Sequence, residues 1–262
     1  MLFCVDIGNT HTHFALVGPG AGAVDPVRSL PTGKLDHPMD GIAPQLRQLI
    51  GAHGAPQAVV YCSVVPAANL HFRRTLAPLD LPMWQLTHEA PLGLKISYPT
   101  PSEIGQDRLA NAAGAQALVG APAIVIDLGT AVTFDIVTRS GGYEGGIIAP
   151  GPALMTRYLH ERTAQLPLVE NLDTPLQRVI GRSTSEAMQI GAVLGFAGLI
   201  QACLDAVISD LTRRGEPEPA ILATGGAAAL VAGRIRQPIR DVPDLTLRGC
   251  AVAWELSNPP PR

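Results

Sequence analysis

Short apolar runs separated by small polar turns organise this chain. The run Phe3-Cys4-Val5 meets a carboxylate at Asp6, passes through Ile7 into the turn Gly8-Asn9-Thr10, and is followed by a second apolar run over 14–17. That is the pattern of a strand, a tight turn and a returning strand. It recurs at Ile124-Val125-Ile126-Asp127-Leu128-Gly129-Thr130-Ala131, again three apolar residues, Asp, one apolar residue, Gly and a small polar turn, with a returning run over 132–137. Further strands are predicted at 58–62, 143–149 and 220–223, and helical periodicity at 38–52, 67–77 and 102–118. The mixture predicts an α/β fold. The internal repeat predicts two related domains, 1–119 and 120–262, divided near Gly120.

The clearest helix begins at Ser183-Thr184-Ser185-Glu186, where Ser183 and Glu186 have the spacing of a reciprocal N-terminal cap, and its apolar pattern runs to Leu211 before Arg213, Arg214 and Gly215 close it. A last helix is predicted over 247–256, and the tail Asn258-Pro259-Pro260-Pro261-Arg262 is expected to fray.

Composition narrows the classes. Hydrophobic residues make up 47% of the 262 positions and charged residues 16%, against about 25% in ordinary soluble domains, so a large core is available. With 19 Lys and Arg against 22 Asp and Glu the net charge is −3, which gives no support to a nucleic-acid partner. The N-terminus has neither a basic segment nor a long apolar one, and the longest apolar stretch, 190–200, is shorter than the roughly 18 residues of a membrane span. The expectation is a cytoplasmic protein without a transmembrane helix. Cys4, Cys62, Cys203 and Cys250 lie far apart in apolar segments and are expected as buried free thiols.

A turn of the form Asp-x-Gly-x-Thr between strands aims backbone N–H groups into one concavity, beside a hydroxyl and a carboxylate. Those are the parts of a phosphate and Mg²⁺ site: Asp6 would hold a hydrated Mg²⁺ while Gly8, Asn9 and Thr10 meet phosphate oxygens, and Asp127, Gly129 and Thr130 repeat the set. Either copy alone is equally an ordinary hairpin turn chosen for backbone geometry. A third element, the strand Ile221-Leu222-Ala223 ending in Thr224-Gly225-Gly226, would let a flat base lie against backbone. His11 and His13 share a strand face; two histidines without a third ligand are weak evidence for a metal, and His13 is placed near phosphate. Gly33-Lys34-Leu35 is not a Walker A sequence, and Gly18-Pro19-Gly20-Ala21-Gly22 is not a dinucleotide-binding fingerprint.

Two hairpin turns and a late Gly-Gly strand end, in that order, resemble the superfamily of sugar kinases, Hsp70 and actin. The segment Tyr98-Pro99-Thr100-Pro101-Ser102-Glu103-Ile104-Gly105-Gln106-Asp107-Arg108 narrows this, and the chain resembles type III pantothenate kinases. The resemblance also takes in Asp6-Ile7-Gly8-Asn9-Thr10, Asp127-Leu128-Gly129-Thr130-Ala131-Val132-Thr133, Gly145-Gly146-Ile147-Ile148-Ala149-Pro150-Gly151, Thr163-Ala164-Gln165-Leu166-Pro167 and Ser183-Thr184. It implies two ribonuclease-H-like domains, an actin-like ATPase duplication, with the active site in the cleft between them.

The implied activity is ATP-dependent phosphorylation of the 4′-hydroxyl of pantothenate, in a homodimer that needs Mg²⁺ and a monovalent cation, K⁺ or NH₄⁺. By the same resemblance Asp107 is the general base, and Tyr98, Gly105, Gln106, Arg108 and Thr184 line the pantothenate site. ATP and its phosphates would meet Asp6, Ile7, Gly8, Asn9, Thr10, His11, Thr12, His13, Gly129, Thr130, Thr133, Gly225 and Gly226, and Asp127 would bind the monovalent cation. Three positions depart from the family pattern: Gln106 where Ala is usual, Thr100 in place of Asn, and Ala15 where Gly is frequent. Two rival readings are a kinase for another small hydroxyl compound and a non-catalytic relative that binds nucleotide or metabolite and acts through a protein partner.

Overall fold

The computed structural model describes residues 1–20, 22 and 25–259, so part of the 18–22 loop and the last three tail residues lie outside the description. Two compact units emerge: residues 1–121 with 141–144 and 244–262, and residues 122–140 with 145–243.

In the first unit β1 (Leu2–Ile7) pairs antiparallel with β2 (His11–Val17), which pairs with β3 (Arg28–Pro31). After α1 (Ile42–His53) the chain adds β4 (Val59–Ser63) parallel to β1, then α2 (Pro66–Leu76) and β5 (Met83–Gln85), to give the order β3-β2-β1-β4-β5. Phe3, Val5 and Ile7 of β1 alternate onto one face, where they pack with Phe14, Tyr61, Leu46 and Phe72. Cys4 and Asp6 therefore point to the opposite face. That face is covered by α3 (Gln106–Val119) and by α7 (Leu245–Ser257), which packs on both α3 and β1. Helices on both faces explain why β1 and β4 are buried almost end to end.

The second unit repeats the plan. β6 (Ala123–Leu128) and β7 (Ala131–Thr138) form the hairpin, and β8 (Gly142–Pro150) follows. Helices α4 (Pro152–Arg162) and α5 (Thr184–Arg213) lead to β9 (Ala220–Thr224), parallel to β6, and α6 (Ala228–Val231) precedes β10 (Arg240–Asp241). The order β8-β7-β6-β9-β10 is the first sheet's order element for element. Ile124, Ile126 and Leu128 face Val193, Phe196, Ile200 and Leu204 of α5, which leaves Asp127 on the other face. The α/β class and the duplicated fold read from the sequence are the architecture observed.

Several elements differ from the sequence reading. Residues 244–262 were expected in the second domain, but α7 packs with the first unit because its Gly249 lets it approach Ala110 of α3 closely and Thr246 Oγ1 donates to Asn111 Oδ1 (2.8 Å). The helices expected at 38–52 and 102–118 start later, at Ile42 and Gln106, the second behind a 3₁₀ turn at Pro101–Glu103. Cys4, Cys62 and Cys250 are buried thiols, whereas Cys203 is only half-buried. Helix α5 carries no charge between Glu186 and Asp205, so by length and composition it is long and apolar enough to cross a membrane, which an 11-residue apolar run did not reveal. In the fold it is the helix that covers the second sheet.

Candidate active site

In the first unit the turn after β1 is held by its own backbone and by one threonine. Gly8 N donates to His11 O (3.1 Å), Thr32 N donates to Thr10 O (3.0 Å) and Thr32 Oγ1 donates to Gly8 O (2.6 Å). Thr12 Oγ1 lies 3.1 Å from Thr32 Oγ1 and completes the brace. Asn9, Thr10 and His11 are left exposed at the turn, and His11 and His13 follow along β2 with ring centroids 6.4 Å apart. The side chains of Ile7 and Thr12 are fully buried. Thr32 gave no signal in the sequence, because its partners lie across a strand pairing that no local pattern encodes.

Behind the turn, β1 and β4 set Asp6 directly opposite Cys62. The Cys62 thiol donates to Asp6 Oδ1 (3.4 Å), and its pKa is driven far up by a hydrogen bond with Cys250, by burial and by the nearby charges of Asp6 and Asp107, so it stays protonated. The charges of Asp6 and Asp107, 101 positions apart in sequence, thus both act on one thiol.

Asp107 sits in the first turn of α3, where the Arg108 N–H donates to its Oδ1 (2.8 Å). Burial raises its pKa above the ordinary aspartate range, and the Arg108 N–H and charge hold it partway down. A carboxylate shifted in this direction is a better proton acceptor. Gly105 is required beside it, since a Cβ there would stand 2.5 Å from Asp107 Oδ1. Arg108 is 8% exposed, with its guanidinium carbon 6.0 Å from the centre of the buried Tyr143 ring. Gln106 Oε1 accepts from Ser63 N (2.9 Å), which ties the start of α3 to the end of β4. Tyr98 is half-buried, one residue beyond the Ser97 N–H that donates to Tyr143 O (2.8 Å).

The second unit builds a matching turn. Gly129 N donates to Ala131 O (3.2 Å) and Gly151 N donates to Thr130 O (3.0 Å), so Gly151 braces this turn as Thr32 braces the first. Thr133 stands opposite Asp127 in the hairpin register, and its Oγ1 lies 3.4 Å from Asp135 Oδ2. Strand β9 ends against the same place. Gly225 has φ +92°, and a Cβ on it would stand 2.7 Å from Asp127 Oδ1 and 2.8 Å from Leu128 N, so only glycine serves there. Gly226 beyond it opens onto free space. Thr184 is exposed at the first position of α5, behind the predicted cap: Glu186 N donates to Ser183 Oγ (3.2 Å), and Glu186 reaches back to Arg182 N (2.6 Å) rather than to Ser183 N.

Among the described residues no three His, Cys, Asp or Glu side chains gather as a metal cage. A single carboxylate beside exposed backbone suits Mg²⁺, which keeps most of its waters and takes phosphate oxygens. Asp6 at the first turn offers that setting.

A model of the type III pantothenate kinase family matches residues 2–206. The type III pantothenate kinase of Akkermansia muciniphila is 40% identical over 257 residues, covering 97% of this chain and 98% of that protein. The enzyme of the same name from Methylacidiphilum infernorum is 39% identical over 257 residues, covering 97% and 88%. Among solved structures, one from Campylobacter jejuni described as a Baf family transcriptional activator has a TM-score of 0.58 at 20% identity and covers 98% of each chain, a likeness of fold.

Proposed function

The chain belongs to the type III pantothenate kinase family, and on that premise we infer that it transfers the γ-phosphoryl group of ATP to the 4′-hydroxyl of pantothenate, the first step of coenzyme A biosynthesis. The observation that carries this reading is Asp107, a half-buried carboxylate at a helix start whose pKa is raised by desolvation, followed by a buried arginine.

Asp107 orients the pantothenate hydroxyl and takes its proton as the new O–P bond forms; the bond to the β-phosphate oxygen breaks and ADP departs. Arg108, always cationic, meets the pantothenate carboxylate or the developing phosphate charge, with Tyr98, Gly105 and Thr184 lining the substrate and Gln106 beside the base. The turn at 8–10 and its counterpart at Gly129 and Thr130 receive phosphate oxygens beyond the Gly8 and Gly129 N–H groups, which close the turns themselves, joined by Ile7, His11, Thr12, His13 and Thr133, while Gly225 and Gly226 make room for the base. Asp6 would hold Mg²⁺ through water and Asp127 a monovalent cation, K⁺ or NH₄⁺. These ions supply charge neutralisation at the phosphates.

A homodimer is part of this reading. It is supported by the exposed Leu154, Tyr158 and Leu159 on α4 and Leu194 on α5, apolar surface of the kind that marks association sites. We place the enzyme in the cytoplasm.

Incubation with ATP, Mg²⁺, K⁺ and pantothenate, followed by mass spectrometry, tests the function. Phosphopantothenate should form with wild type and be lost with Asp107→Asn and without K⁺. ATP binding without pantothenate-dependent ADP release would favour the non-catalytic reading, and turnover of a different hydroxyl compound would favour the other kinase.

A further inference from the structure

The start of α3 is held by a chain of hydrogen bonds whose direction is fixed throughout. The Ser63 N–H can only donate, so the atom it meets on Gln106 is the amide oxygen (2.9 Å). That same oxygen receives Gln85 Nε2 (3.2 Å). Gln85 must then turn its own oxygen the other way, where the Tyr61 hydroxyl donates to it (3.0 Å). Tyr61 is 1% exposed. The network thus runs from β4 through β5 to the residue immediately before Asp107. Both lone pairs of the Gln106 oxygen are used inside it, which leaves that oxygen none to offer a substrate.

We propose that Gln85 and Gln106 are positioning residues that clamp the first turn of α3 to strands β4 and β5 and so set where the Asp107 carboxylate stands. The proposal rests on Asp107 being the base of the kinase reaction. The carboxylate accepts from Arg108 N in its own helix start, so its place in the unit follows that helix turn. A misplacement of about 1 Å costs on the order of a hundredfold in rate, so a clamp that removes even part of that freedom is felt in kcat. The titratable groups around this site are Arg108 on its own helix, Asp6 on β1, Cys62 on β4 and Cys250 on α7.

The test compares Gln106→Met and Gln85→Met, which keep length and lose the hydrogen bonds, singly and together. Each single variant should lower kcat about tenfold with the KM for ATP unchanged, and the double variant should be no worse than the worse single one, because both break one network. Independently of turnover, the Asp107 carboxyl titration, followed by ¹³C NMR in aspartate-labelled protein and assigned with Asp107→Asn, should fall toward the ordinary range as water reaches a loosened turn. Wild-type kcat and an unmoved titration in the folded Gln106→Met protein would overturn the clamp. So would a raised KM for pantothenate in that variant with Gln85→Met silent, the signature of direct substrate contact. If Gln106→Met does not fold, Gln85→Met decides by the same readouts. A wild-type protein without pantothenate-dependent turnover would overturn the kinase reading, and the titration would still decide the clamp.

Discussion

In the proposed reaction Asp107 is both a base and a half-buried charge, and the two demands oppose each other. Asp107→Asn should lower kcat by about 10²–10⁴, the usual worth of a positioned base, with nucleotide binding retained. Its stability should move the other way. Because burial holds the folded pKa above the unfolded one, the stabilising contribution of the proton is complete below the ordinary aspartate pKa and is lost as pH rises through the folded value. The asparagine protein has no charge to bury, so its melting temperature should equal or exceed wild type at about pH 8, with the advantage fading toward about pH 4. Gly105→Ala should push the carboxylate aside and cost activity while the protein stays folded, as read by kcat beside circular dichroism. Asp6 and Asp127 were legible as candidate chemistry because their turns are local patterns, and Asp107 only through the family resemblance of its segment. Thr32, Cys62, Gln85 and Gly151 were not, since each acts on a partner 20 to more than 50 residues away or across a register that sequence does not print.

Elements whose pattern is long enough declared themselves: both hairpins, β4, β9 and α5 fall where apolar runs and caps predicted. The edge strands β3, β5 and β10 span two to four residues, too few for alternation to register, and the four-residue α6 was also not foreseen. The cap of α5 is a measurable contribution. Ser183→Ala should cost about 1 kcal/mol in urea unfolding, since it frees the Glu186 N–H. The α3–α7 contact is tighter than α3's weak amphipathicity suggests: residues 108–115 are buried without a break, and a Cβ on Gly249 would strike Ala110 O. Gly249→Ala should therefore cost at least about 1–3 kcal/mol by the same measurement.

At the scale of the whole molecule, two sheets of identical strand order carry their aspartates at equivalent positions, Asp6 at the end of β1 and Asp127 at the end of β6. The first unit is completed only by the last helix of the chain. A protein ending at Pro243 should lose the cover of Cys4, Cys62 and α3, and limited proteolysis should then cut within residues 1–121 rather than leave that segment intact. The sequence by itself determined the class of fold, its duplication and the candidate residues of the phosphate turns, because apolar alternation, Asp-Gly turns and helix caps are properties of neighbouring residues. Only the tertiary structure decided that α7 closes the first unit, that Asp6 lies against Cys62, and that two glutamines tie the start of the helix carrying Asp107 to strands β4 and β5. Those facts depend on which faces meet at atomic distance, through glycines that permit close approach and hydrogen bonds whose partners lie far apart along the chain.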